Sequence, residues 1–154
     1  MMVKSKQKGY RWEKDAEELL NKKYPETWRR IPGSGAFGAI MNIPELQGDL
    51  VGRYYFMPIS FRVDAKTGYG GATQLAVKRE WLEKIRAEAE ALERYEIPCL
   101  VCKFSGSRAP TKHFFVFDTD AFHDIMEAYE DLYNENVRLR EKWERFSYGN
   151  EEDI

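Results

Sequence analysis

With 154 residues, 43% hydrophobic and 32% charged, the chain is long enough for one domain with a real core and too apolar to be disordered. No apolar run reaches the length of a membrane span, nothing at the start resembles a secretion signal, and two cysteines make no disulfide framework; a cytoplasmic protein with no membrane partner is expected. The net charge of -2 hides an asymmetry, since residues 1–40 carry nine Lys/Arg against five Asp/Glu and residues 115–154 carry four against twelve, so a basic face can hold phosphate while the acidic part sits elsewhere.

Met1 to Gly9, with Lys4, Lys6 and Lys8, is expected to fray. A helix follows from about Tyr10 to Lys23, because Trp12, Ala16, Leu19 and Leu20 make one apolar face. Glu13 lies at the edge of that face and can point along the core boundary; Glu17 and Glu18 read as solvated. Tyr24-Pro25 ends the helix. Trp28 to Ile31 reads as a short strand carrying Arg29 and Arg30. The run Pro32 to Ala39 is a Gly-rich loop containing Ser34 and Gly35; it lacks the Gly-Lys-Ser/Thr ending of a P-loop, but its small residues let backbone N–H groups approach a phosphate.

Next comes a hairpin: Asp49 to Val51, a turn near Gly52-Arg53, then Tyr54 to Lys66 with a break at Pro58. In a strand, residues two apart share a face, so Asp64 and Lys66 point one way and Ala65 the other. The hairpin brings Asp49 beside them. Two carboxylates and an ammonium at one spot make a hard-cation site with a cationic group beside it.

After a glycine-rich break, a helix is expected from about Thr73 to Tyr95, with Gln74 at its start. Ile97 to Phe104 reads as a buried strand. Its Cys99-Leu100-Val101-Cys102 motif reads as core packing, not as a redox pair or a zinc site, because it lies inside an apolar run. Lys112 to Phe117 reads as another strand, followed by Asp118 or Asp120 as a helix cap. The last helix, about Ala121 to Phe146, places Phe122, Ile125, Tyr129, Leu132, Asn136, Leu139, Trp143 and Phe146 at alternating spacings of three and four. Such a seam can pair with its own copy or lie across the domain's own sheet. Residues 147–154 are expected to be a disordered tail.

The pattern Asp49 … Asp64-Ala65-Lys66 resembles the PD-(D/E)xK nuclease superfamily. The order of its neighbours narrows this: Lys8-Gly9, then Glu13-Lys14, Arg30 before Gly33-Ser34-Gly35, Gly48-Asp49-Leu50-Val51 and Val63-Asp64-Ala65-Lys66 together resemble the archaeal-type Holliday junction resolvases, which also occur in viruses. The resemblance covers about residues 8–118. Here Asp64 stands where a glutamate is usual, one methylene shorter, and the segment from Gly35 to Gln47 is roomier than expected.

The resemblance implies an α/β fold of the restriction-endonuclease type: a small mixed sheet flanked by helices over residues 1–120, with the helix 121–146 added. It implies that Asp49, Asp64 and the Ala65 carbonyl hold Mg²⁺ (or Mn²⁺), with Glu13 completing the metal and water shell and Lys66 orienting the water or stabilising charge on the phosphate. Arg30 would hold phosphate and Ser34 would contact DNA, joined as candidate DNA contacts by Lys8, Lys14, Arg29, Gly35 and Gln74. The implied activity is paired nicking of four-way or branched DNA by a homodimer, leaving 5′-phosphate and 3′-hydroxyl ends, with no small-molecule cofactor. Two readings stand beside it: a nuclease of the same fold acting on other branched or duplex DNA, and a non-catalytic DNA-binding module.

Overall fold

The computed structural model describes residues 2–33, 43–106 and 112–148. Helix α1 spans Met2–Asn21, strand β1 Trp28–Arg30, β2 Leu50–Arg53, β3 Ser60–Thr67, helix α2 Arg79–Glu90, β4 Ile97–Lys103, β5 His113–Val116 and helix α3 Thr119–Tyr148. The strands form one mixed sheet in chain order. Pairing is antiparallel except between β3 and β4, where α2 makes the crossover that a parallel pair requires.

The alternation along β3 divides the molecule into layers. Phe61 and Val63 enter a core with Trp12 and Ala16 of α1, Trp28, Leu50, Cys99, Val101 and Ala121 of α3. On the other face, Leu100 and Cys102 of β4 meet Trp81 and Ile85 of α2. Both cysteines are free and buried, and burial pushes the Cys102 thiol up to about 11, as packing residues rather than redox groups require. This is the α/β, restriction-endonuclease-like architecture expected. Among the described residues no helix is long and apolar enough to cross a membrane.

Several boundaries differ from expectation. The basic start does not fray: α1 begins at Met2, eight residues before Tyr10, since lysine and glutamine are good helix formers and no proline intervenes. Its far end is clamped by Asn21, whose Oδ1 accepts the N–H groups of Thr27 (3.0 Å) and Trp28 (2.8 Å) while its Nδ2 donates to Trp28 O (2.7 Å). The hairpin turns at residues 54–59, with Met57 N–H donating to Tyr54 O at 3.1 Å, and not at Gly52-Arg53, which belong to β2 and pair with Phe61 and Ser60. Helix α2 starts at Arg79 rather than Thr73, because the preceding segment is bound to the glycine-rich loop: Ala76 N–H donates to Tyr69 O at 2.7 Å, and the Tyr69 ring meets Trp81 at 4.5 Å. Asp118 is the cap of α3, accepting Ala121 N–H at 2.8 Å, and Arg86 of α2 donates to the same carboxylate. Helix α3 runs on through Ser147 and Tyr148; the rest of the tail lies outside the described residues.

Candidate active site

Asp49 precedes β2 where its pairing with β3 ends at Leu50 opposite Val63. Its backbone is held from both sides, the N–H donating to Val63 O (2.8 Å) and the C=O accepting from Ile31 N–H (2.9 Å). Its Oδ2 accepts the Ala65 N–H at 2.7 Å, satisfying an amide that the end of β2 leaves without a strand partner. In an extended strand a residue's C=O projects to the same edge as its N–H, so the Ala65 carbonyl faces the Asp49 side.

The chain reaches Asp49 through Gly48, which has φ +81° and room for no Cβ, since one would stand 2.8 Å from Arg62 Cδ. Arg62 is buried on β3. It donates to Glu96 Oε2 (2.7 Å) and to the carbonyls of Glu45 (3.2 Å) and Gln47 (2.8 Å), fixing the segment that delivers Asp49.

Asp64, 1% exposed, and Lys66 share the α2 face of β3, as alternation requires, with Lys66 Nζ 3.1 Å from Asp64 Oδ2. Lys66 also lies 5.4 Å over the Trp81 ring. Two further groups were not singled out in the sequence. Lys84 of α2 places its Nζ 3.3 Å from Asp64 Oδ2 and 3.1 Å from Glu88 Oε1. Glu88 is buried, and its Oε2 has no partner among the described residues. The spacing i, i+4 of Lys84 and Glu88 was the available signal, but solvated helix faces carry the same spacing.

Negative charge is in excess here. Burial, then the neighbouring Asp64 charge, pushes the Asp49 carboxyl up to about 7. Burial also raises Glu13, with Arg30 opposing it and Asp64 adding to it. Burial raises Glu88 despite Lys84. Burial works against the Lys84 charge, but Asp64 and Glu88 more than offset it and hold its pKa above the ordinary value. Carboxylates that repel one another in a partly dry site fit a hard divalent cation. Among the described residues no three His, Cys, Asp or Glu side chains stand close enough to cage a metal. The oxygens that would be available to such an ion are those of Asp49, Asp64 and the Ala65 carbonyl, and Glu13 is coupled to Asp49 and Asp64 by charge. A small donor set of oxygens suits Mg²⁺, which keeps much of its own water.

The other expected contacts are dispersed. Arg30 is engaged: its Nε donates to Glu17 Oε2 (2.9 Å), its backbone N–H donates to Glu17 Oε1 (3.0 Å), and its guanidinium lies 5.3 Å over Tyr10. Glu17 is therefore no solvated residue but the pin between α1 and β1. Lys14 is exposed and 3.9 Å from Glu18. Lys8, Arg29 and Gln74 are exposed. Ser34 and Gly35 lie outside the described residues. Lys8 lines, with Arg11, Trp12, Asp15, Lys103 and Ser105, a cleft of about 240 Å³ at the ends of β3 and β4, in which Lys103 Nζ stands 3.9 Å from Asp15 Oδ2. Arg11 and Lys103 were missed because neither belongs to a motif.

A mixed sheet with an acid at the end of one hairpin strand and Asp-x-Lys on the next is the arrangement of the PD-(D/E)xK nucleases. The chain belongs to the family described as "Phage putative PDDEXK endonuclease", which matches residues 4–150. No curated protein and no solved structure matches it. It is a nuclease of that superfamily, a class that typically depends on a divalent metal.

Proposed function

We propose that the protein is a Mg²⁺-dependent, structure-selective endodeoxyribonuclease that resolves four-way DNA junctions by paired nicks. The reading is supported by Lys66 Nζ 3.1 Å from Asp64 Oδ2 beside Asp49 Oδ2 on the Ala65 N–H, with Asp49 feeling the Asp64 charge. Water oxygen attacks phosphorus, the P–O3′ bond breaks, and the departing 3′ oxygen takes a proton, leaving 5′-phosphate and 3′-hydroxyl ends. When bound, Mg²⁺ (or Mn²⁺) lowers the water's pKa and offsets charge on the phosphate oxygens. Lys66 presents an ammonium to the scissile phosphate and holds Asp64; Asp49 is held rigidly to receive the ion; Glu13 adds negative charge that favours ion entry. The cleft between Lys8, Arg11 and Lys103, one residue beyond Lys66 at Thr67, offers cations for the adjoining phosphates of a DNA strand.

Junction selectivity is supported by the order Lys8-Gly9, Glu13, Arg30, Gly33-Ser34-Gly35 and Gly48-Asp49. The family match favours a broader endonuclease as the second reading. A synthetic four-way junction and a linear duplex of the same sequence, each incubated with Mg²⁺ or EDTA, separate the two. Symmetric nicks in the junction alone, absent in EDTA and in Asp64→Asn, are expected. Equal cutting of both substrates supports the broader nuclease, and binding without cutting rejects catalysis.

A further inference from the structure

Helix α3 is 30 residues long, about 45 Å at 1.5 Å per residue, yet only Ala121 and Ala128 are buried. Ile125 still packs against the core. Beyond Ala128 the helix leaves the domain, and every described residue from Tyr129 to Tyr148 is exposed except the half-buried Leu132. The exposed side is apolar: Tyr129 61%, Leu139 43%, Trp143 71% and Phe146 67% exposed. A soluble domain does not leave such a stripe to water without an occupant.

We infer that this half of α3 pairs, parallel and in register, with α3 of a second copy of the chain. The seam alternates by three and four: Tyr129, Leu132, Asn136, Leu139, Trp143, Phe146, a heptad a/d pattern. The surface already has the shape that such pairing needs. Leu139, Lys142, Trp143 and Phe146, at i, i+3, i+4 and i+7, line one apolar hollow, the four-residue hole that receives a knob from a facing helix. The flanking charges select a like partner. In a parallel pair the position before one core residue faces the position five further on in the partner, so Glu135 meets Arg140 of the other copy, twice by symmetry.

Asn136 fixes the orientation. In the free chain its Nδ2 donates to Leu132 O of its own helix at 3.0 Å. A parallel, in-register pair sets Asn136 against its own copy, where two amides satisfy each other. The antiparallel pairing that sets Tyr129 against Phe146 would place Asn136 against Leu139 and leave the amide facing hydrocarbon. With aromatic side chains each burying up to roughly 150–250 Å², the seam reaches the area of a standard stable interface. The inference stands on α3 alone and is independent of what the nuclease site cuts.

Sedimentation equilibrium of the full chain tests it. The expected mass is twice the 18.1 kDa of one chain at micromolar concentration. Leu139→Glu and Trp143→Glu, both at exposed positions, are expected to give monomers with an unchanged helical circular dichroism signal for the sheet-bound core. Glu135→Arg or Arg140→Glu alone is expected to weaken the dimer at least tenfold, and the double exchange to restore it. Asn136→Cys is expected to cross-link to its own copy under mild oxidation, Cys99 and Cys102 being buried. A monomeric wild type, which would leave the stripe to some other protein, overturns the inference, as does a dimer indifferent to Leu139→Glu. A dimer whose residue 136 thiols never cross-link overturns the parallel register.

Discussion

Lys84 Nζ stands 3.3 Å from Asp64 Oδ2, the same oxygen that Lys66 contacts at 3.1 Å. Two ammonium groups on one carboxylate oxygen would compete there with the divalent cation of the proposed mechanism. Lys84 comes from a helix and is more than half exposed, whereas Lys66 lies on the strand beside Asp64 and is mostly covered. Lys84→Met is therefore expected to lower the Mg²⁺ concentration needed for half-maximal cleavage several-fold, with the maximal rate changed little. Lys66→Met is expected to cost about 10²–10³ in rate, the loss seen when a preorganised transition-state donor is removed. Cleavage measured across a Mg²⁺ titration for both variants checks this; a Lys84→Met loss as large as that of Lys66→Met would refute the division of labour.

The Asp49 carboxyl, raised from 3.8 to about 7, gives the metal-free protein a defined pH response. Because the folded-state pKa is the higher one, this group's contribution to stability is complete below about pH 4 and is lost as pH rises through about 7. After allowing for partial solvent contact, the loss is about 1–3 kcal/mol. Asp49→Asn is expected to flatten that slope and to raise the melting temperature at pH 8, while abolishing stabilisation by Mg²⁺. Thermal melts from pH 4 to 8, with and without Mg²⁺, measure both effects. A wild-type protein that grows steadily more stable over that range would contradict the placement of Asp49.

Arg62 and Gly48 form one mechanical unit. Arg62→Met would leave Glu96 without its partner and free the carbonyls of Glu45 and Gln47, an expected cost of about 2–4 kcal/mol. Gly48→Ala adds a Cβ 2.8 Å from Arg62 Cδ at φ +81°, with an expected cost of about 1–3 kcal/mol. Urea unfolding of the single and double variants should show sub-additive losses, since both act on the same contact.

The cleft between Lys8, Arg11 and Lys103 is expected to act on binding rather than on chemistry. Arg11→Ala and Lys103→Ala should each weaken DNA binding uniformly across sequences and reduce the magnitude of the salt slope by about 0.9, the value of one phosphate contact. Lys103 also lies 5.1 Å over the Trp12 ring, so Lys103→Arg, which keeps the charge and the stacking, should retain most of the affinity. Binding isotherms between low and physiological salt decide the matter.

The α/β fold was legible through the family resemblance, and the pairing of β2 with β3 through local rules. Alternation alone put Asp64 and Lys66 on one face; the hairpin beside them was expected too, but its turn was expected at Gly52-Arg53, which lie in β2 and pair with Phe61 and Ser60. What stayed hidden depends on contacts across the sequence. Lys84 and Glu88 look like any solvated helical pair until α2 is laid over β3. Arg62, in an apolar run, gave no hint of the Glu96 partner 34 residues away. Glu17 was read as solvated because nothing in α1 reveals that Arg30 folds back onto it. The starts of α1 and α2 were misplaced for opposite reasons: lysines extended the first helix, and the contact between Tyr69 and Ala76 shortened the second.

The sheet is laid down in the order in which its strands are synthesised. Asp49, Asp64 and Lys66 leave the ribosome within one short span, but the floor beneath them, Leu100 and Cys102 on β4, and the Trp81 ring on α2 arrive later. A translation product interrupted before residue 97 thus carries every acid and the lysine yet has no rigid platform to align them. Abortive fragments of this nuclease are consequently expected to be harmless to the genome of the cell that makes them.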